Sequence, residues 1–392
     1  MNPSPTPDKN VKGVKRLMYL PLERMSDALG KGNVEYARHY ESYFDEVQLV
    51  YFYGRFPDII HRGKTTWRSL GGKHHKIDLL LAPLRLLRTA FALKPTAFLT
   101  SDLVFSWWTA ALLRMIYRGR VVLMPICLPE EIYANTQRSL CGIPIWLERF
   151  FMRLSFMAAS KIIVSSKNKA SITWLRSDRK SSTKIQVVDV IPEQYPPPRL
   201  LDELLQNAKL KREFHEPARL LYVGRVHWQK LTLELVELMR ELMNRGIAAR
   251  LWVAGGGVDM PRMQERAKLL KVDGSIEWLG FIDETRLAEI YQQADIFVST
   301  VTGTALREAG FSGLPVVGYD INFFNGLLRH EHNALLAPVH DVAALATQID
   351  RVIRDHELRN RIATNLHSTI CAGWDRSYIP RALRDVFNDT PA

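Results

Sequence analysis

Short apolar runs alternate with amphipathic stretches along most of the chain, the pattern of strands and helices taken in turn. Arg16 to Leu22 and Val47 to Tyr53 read as strands, separated by a Gly30-Lys31-Gly32-Asn33 loop and a helix over 34–44. Such a β-loop-α-β unit belongs to a parallel sheet. Residues 54–78 read as irregular and basic, and Leu79 to Lys94 as a helix. Thr96–Asp102, Arg120–Ile126, Ser160–Ser166 and Lys184–Pro192 complete the strands of this half. In the helix Ile145–Met157, Leu147, Phe150, Phe151, Leu154 and Met157 recur at helical spacing with Arg149 and Arg153 opposite, a stripe that reads as core rather than membrane contact.

The proline run 196–198, after Tyr195, is stiff and cannot continue a central strand, so it reads as a linker. Beyond it the alternation is cleaner. Arg219–Arg225, Ala249–Gly257 and Ser275–Ile282 read as strands, each followed by an amphipathic helix. Asp295 to Asp320 (DIFVSTVTGTALREAGFSGLPVVGYD) is a strand, a small-residue loop, a helix and a second strand. Helices close the chain over 341–354, 357–367 and 376–387. The expected architecture is α/β, with two Rossmann-like doubly wound domains facing across a cleft. The expected limits are a disordered tail at 1–14, a first domain at 15–195, a second at 196–373, and a terminal helix within 374–392 packing back on the first domain.

Charge sharpens this division. The chain of 392 residues carries a formal charge of +12, but residues 1–198 hold 29 basic against 16 acidic side chains and residues 199–392 hold 24 against 25. A basic half beside a neutral one suggests that the first half meets something anionic, a nucleic acid or a membrane leaflet. A solvated basic surface would give the same count. Few aromatics interleave with the basic run, which argues against nucleic acid. Three scattered cysteines fit no metal site and suggest a reducing compartment. Adjacent His74 and His75 have no partner ligands at useful spacing, so no metal is expected. The apolar window 103–113 falls short of the about 20 residues a membrane helix needs, and a cytoplasmic protein is expected.

Candidate chemistry gathers at strand ends of the second half. Gly224 and Arg225 end one strand, with Lys230 five residues on; Gly255, Gly256 and Gly257 end another. Gly303, Thr304 and Ala305 open the helix of the 295–320 stretch, and Glu308 follows one turn later. The first N–H groups of a helix lack internal partners and its dipole adds positive potential, so the loop is an anion cradle. Glycines admit close backbone approach, and Arg with Lys suits a pyrophosphate.

These residues, with YVGRVHWQK (222–230), LWVAGGG (251–257), IEWLGFID (276–283), LAEIYQQADIFVST (287–300), EAGFSGLPVVGYD (308–320) and HNALLAPVHDVAALA (332–346), resemble the nucleotide-sugar domain of GT-B retaining glycosyltransferases of family 4. The first half is similar only loosely, through strand order, Gly32 and the Ser101-Asp102 turn, which the resemblance places at the acceptor or between domains. The resemblance implies a UDP- or GDP-sugar donor, no metal, and transfer with retention to a lipid-linked or polysaccharide acceptor in cell-envelope glycan assembly. Arg225 and Lys230 would bind the diphosphate, Gly224, Gly255 and the backbone at 303–305 would surround it, Phe281 and Ile282 would line the base pocket, and Glu308 would hold the ribose. The basic first domain would lie on an anionic membrane surface.

Two departures stand out. Thr300 occupies the place of the family's first glutamate, in a loop some four residues short, and Pro125, Ile126 and Cys127 stand where a histidine is common. In the family these groups meet the donor sugar, so its identity stays open. A second reading follows, of a catalytically silent relative that binds or scaffolds within a glycan-assembly complex.

Overall fold

The computed structural model describes residues 15–20, 37–51, 59–70, 75–100, 111, 113–115, 120–124, 144–165, 172–173, 175–176, 182–188, 196–210, 213–301, 303–321, 327–372 and 378–388. The 1–14 tail, Gly32, Asp102 and residues 125–127 lie outside them.

Two sheets form the frame. The first holds β1 (Arg16–Leu20), β2 (Glu46–Tyr51), β3 (Ile60–Arg62), β4 (Thr65–Ser69), β5 (Ala97–Thr100), β6 (Arg120–Leu123), β7 (Lys161–Ser165) and β8 (Ile185–Val188) in the order β3-β4-β2-β1-β5-β6-β7-β8. Among the described strands only β3 runs antiparallel to its neighbour. The 54–78 run is therefore not irregular throughout: β3 and β4 form a hairpin in it, and β4 pairs with β2 through Val47 opposite Thr65. Apolar Trp67 and β-branched Thr65 and Thr66 supply the strand propensity that the surrounding basic residues hide.

The second sheet holds β9 (Ala218–Val223), β10 (Ala249–Ala254), β11 (Ile276–Gly280), β12 (Ile296–Ser299), β13 (Val316–Tyr319) and β14 (Leu335–Ala337), all parallel, in the order β11-β10-β9-β12-β13-β14. Helices α4 (Leu233–Asn244), α5 (Met260–Leu269), α6 (Glu284–Gln293), α7 (Thr304–Phe311), α8 (Val342–Arg354) and α9 (His356–Ala372) cover both faces. Strands buried on both faces become continuous apolar runs. In β9, Leu220 and Tyr222 join one core cluster and Leu221 the other.

Each sheet reverses its winding once. From β1 the chain builds outward through β2 and returns to β5 on the other side; from β9 it builds to β11 and returns to β12. The carboxyl ends of β1 and β5, and of β9 and β12, are therefore the two topological switch points, where ligands of such sheets bind.

Among the described residues, three pieces of chain join the halves. Helix α3 (Pro198–Gln206) buries Leu200, Leu201 and Leu204 against the second half, each worth about 2 kcal/mol by apolar burial. The buried His39 Nε2 lies 3.0 Å from the carbonyl oxygen of Pro196. Helix α10 (Tyr378–Asn388) returns to the first half, where Phe387 meets Phe44 edge-on at 4.9 Å and Lys161 Nζ donates to the Val386 carbonyl at 2.9 Å.

Helix α2 (Ile145–Ala158) corrects the core expectation. Met152 and Phe156 face the sheet, whereas Phe150 and Met157 are 52% and 47% exposed, on the same outward side as Arg149 and Arg153. The apolar positions outnumber those one buried face can take.

Candidate functional site

Four neighbouring strands, β11, β10, β9 and β12, end on one edge of the second sheet, and the loops leaving them nest. Gly224 (φ +153°) follows β9 and donates its N–H to Ala254 at 2.9 Å; Gly255 (φ +128°) follows β10 and donates to Gly280 at 2.7 Å. A Cβ at Gly255 would run into the Gly224 carbonyl, and one at Gly257 into the Val226 carbonyl. Only glycine permits this approach.

The turn after β9 is held at several points. Val226 N–H donates to Gly256 at 2.9 Å, Trp228 N–H to Asp259 Oδ2 at 2.6 Å, and Gln229 N–H to His227 Nδ1 at 3.3 Å. Leu231 closes the turn in the left-handed region at φ +51°. Lys230 is thereby carried, half-buried, toward the switch point. The Thr300 hydroxyl, at the end of β12, donates to the Lys230 carbonyl at 2.6 Å, a bond across the switch point between residues 70 apart in sequence.

Here the predicted groups meet. A Cβ built on Gly303 would lie 3.3 Å from Lys230 Nζ, so the ammonium reaches the N-terminus of α7, which begins at Thr304 with Gly303 as its cap. Ammonium and helix N-terminus both favour an anion. Glu308 lies one turn along, 3% exposed, and its Oε2 accepts a hydrogen bond from the Tyr291 hydroxyl at 2.7 Å. Tyr291 is fully buried and also lies 3.2 Å from the Ala305 carbonyl, so it ties both ends of that turn to α6.

At the other end, Phe281 is 49% exposed and its ring covers Gly256, while Ile282 packs against the core. Arg225 is exposed, and its carbonyl accepts from the Tyr222 hydroxyl at 2.9 Å. Burial pushes the Tyr222 phenol well above its ordinary range, which keeps it a donor. The structure thus brings Gly224, Arg225, Lys230, Gly255, Phe281, Ile282, Gly303, Thr304, Ala305 and Glu308 to one edge. Gly32 and Asp102 follow β1 and β5 in sequence, the strands at the first switch point. Sequence reasoning missed Tyr291, Asp259 and the part played by Thr300. Their types and spacing carried no signal, because each acts through a partner distant along the chain.

Comparison with known proteins bears on the family and the fold. Residues 206–368 match the family model described as "Glycosyl transferases group 1". A lipopolysaccharide core biosynthesis glycosyltransferase of Rhizobium meliloti is 26% identical over 145 residues, covering 36% of this chain and 42% of the relative. The chain matches 42% to 44% of the length of the first curated relatives. Among solved structures, a sucrose-phosphate synthase of Thermosynechococcus elongatus superposes with a TM-score of 0.76 at 17% identity, over 95% of this chain and 98% of that one. The Anabaena protein HepE, solved with UDP and glucose, gives 0.69 at 15% identity over 96% and 100%. The chain has the GT-B fold.

Proposed function

We propose that this chain, whose residues 206–368 belong to the glycosyl transferases group 1 family, moves a sugar from a nucleoside-diphosphate sugar to a lipid-linked or polysaccharide acceptor, with retention at the anomeric carbon. The observation that carries the reading is the Lys230 ammonium set against Gly303 at the start of α7, across the switch point. A nucleoside diphosphate leaving a sugar gains negative charge, and these groups are already aimed where that charge grows. Thr300 and Asp259 hold the turn that carries Lys230, so little reorganisation is needed. Arg225 adds a second cation at the diphosphate, Phe281 and Ile282 take the base, and Glu308, steadied by Tyr291, takes the ribose.

The donor is a UDP- or GDP-sugar, and no metal takes part, because Lys230, Arg225 and the helix N-terminus supply the positive charge. HepE, solved with UDP, and the lipopolysaccharide glycosyltransferase support a nucleotide-sugar donor and cell-envelope glycan assembly. The basic first domain works against the anionic inner face of the membrane.

Thermal unfolding with UDP, GDP and their sugars tests the donor. A ligand at 100 times its Kd is expected to stabilise by about 2.7 kcal/mol. No shift with any nucleotide would overturn the reading. Transfer that persists in EDTA, with product stereochemistry read by proton NMR couplings, tests metal independence and retention. Stabilisation without transfer to any acceptor would favour the silent scaffold.

A further inference from the structure

One face of the first sheet is covered by helix α1 (His75–Leu93), the helical residues 111 and 113–115, and α2. Leu86 and Ala90 of α1 pack with Met18, Phe98, Leu113 and Val121, and Ala158 at the end of α2 joins them. Met152 and Phe156 of α2 pack on Leu123, Ile162 and Val164. Val121 and Leu123 are two apart on β6, so they point to the same side and the three helical pieces form one layer.

The outside of that layer is apolar and cationic together. Leu84, Phe91, Met115, Trp146, Phe150 and Met157 are 47% to 79% exposed, half of the twelve large apolar side chains exposed among the described residues. Between them stand exposed Arg88, Arg114, Arg149 and Arg153. The one acidic side chain in the described parts of 84–93, 111–115 and 145–158, Glu148, is fully buried. Water alone does not explain so large an exposed apolar set on one layer. The layer is also firmly built: Lys184 Nζ donates to the Met157 carbonyl at 2.8 Å and Arg114 to the Ala159 carbonyl at 3.3 Å, both at the end of α2.

The described part of the basic run, residues 59–70, is a poorer docking surface. It contributes β3 and β4 at the opposite edge of the sheet, with Trp67 and Thr65 buried, Arg68 half-buried against Gln48, and Lys64 donating to the Glu41 carbonyl.

We infer that the outer face of the α1–α2 layer docks on an anionic lipid bilayer, with Trp146, Phe150 and Met115 entering the headgroup zone and Arg88, Arg149 and Arg153 on lipid phosphates. Aromatic rings settle at that depth, and guanidinium groups beside them find anionic partners in the same plane. Helix α2, 14 residues long, lies flat as a contact about 20 Å in length. Among the described residues no helix is long and apolar enough to cross a membrane. The assignment rests on the reading that the first domain meets an anionic membrane, and names the surface that does so.

Flotation of the full chain with phosphatidylcholine vesicles, with and without phosphatidylglycerol, tests it. Wild type is expected to bind the acidic vesicles and to be released by salt. Trp146→Ala with Phe150→Ala, and separately Arg149→Glu with Arg153→Glu, are expected to weaken binding roughly tenfold or more. Both variants should keep the wild-type thermal shift with UDP, which reports a folded second domain. Arg62→Gln with Lys64→Gln, on the opposite edge, is expected to bind vesicles as wild type does. If both α2 variants bind as wild type, the surface is wrong while the membrane reading stands. If wild type binds neither vesicle, both fall. If wild type self-associates and the α2 variants are monomers, the face is a protein interface and the inference is overturned.

Discussion

The two sheets wind in the same way, yet their described glycine turns are built to different tolerances. In the second sheet, the loops after β9, β10 and β11 nest so closely that the Gly224 carbonyl fills the space a side chain on Gly255 would need. In the first sheet, Gly63 of the β3–β4 hairpin faces only the carboxylate end of Glu41, 3.2 Å from where a Cβ would lie. The matches divide the chain likewise. The family model stops within 206–368, whereas the fold likeness runs over 95% of the chain. On the proposed function this difference has a physical cause. Every donor carries the same diphosphate, which demands particular backbone and particular cations, while acceptors differ and constrain the first half only through its topology.

Crowding one switch point is the strongest way to break the comparison. Gly255→Val forces a side chain into the Gly224 carbonyl at φ +128°, and is expected to cost about 4 kcal/mol in urea unfolding. Gly63, in the hairpin of the first sheet at φ +61°, would meet only the flexible end of Glu41, so Gly63→Ala is expected to cost about 1 kcal/mol. Similar losses at both positions would erase the difference in tolerance.

The join between the halves gives the next largest effect. Burial pushes the His39 imidazole down to about 4, with the Pro196 carbonyl opposing. The unfolded chain takes up its proton near pH 6.5 and the folded one only near 4, so unfolding binds a proton between these values. Stability is therefore intact above pH 6.5 and falls as pH drops toward 4, by about 3 kcal/mol. His39→Gln is expected to flatten that part of a stability profile. An unchanged slope would place the acid sensitivity elsewhere.

Lys230→Ala is expected to weaken UDP binding by about 1.5–3 kcal/mol, measured by calorimetry, with little change in unfolding. Arg225→Ala, at an exposed position, is expected to cost about 1 kcal/mol. Equal losses at a surface lysine such as Lys268 would reduce both to general electrostatics.

Strand and helix order, the glycine-ended strands and the α7 cradle were legible because local pattern decides them. The β3–β4 hairpin was not, since basic residues outnumber its few β-formers. Helix α2 misled for a related reason. Its spacing announces an amphipathic helix, but periodicity cannot say which apolar residues reach the sheet when aromatics lie on two sides. The Tyr291–Glu308 and Thr300–Lys230 bonds were invisible because both depend on tertiary register.

That last bond sets the finest test of how rigidly the second switch point is held. Thr300 is fully buried, and its hydroxyl spans from β12 to the turn that carries Lys230. Thr300→Val keeps shape and volume and removes only the donor. If the bond merely stabilises the fold, the variant should lose about 1 kcal/mol in unfolding and bind UDP normally. If it positions Lys230, UDP affinity should fall about fivefold as well. The two cases separate in a double-mutant cycle, because the effect of Thr300→Val on affinity should vanish once Lys230 is alanine. Additive losses in affinity would mean that Thr300 acts on the site independently of Lys230, and that the close-packed glycines hold the turn without its help.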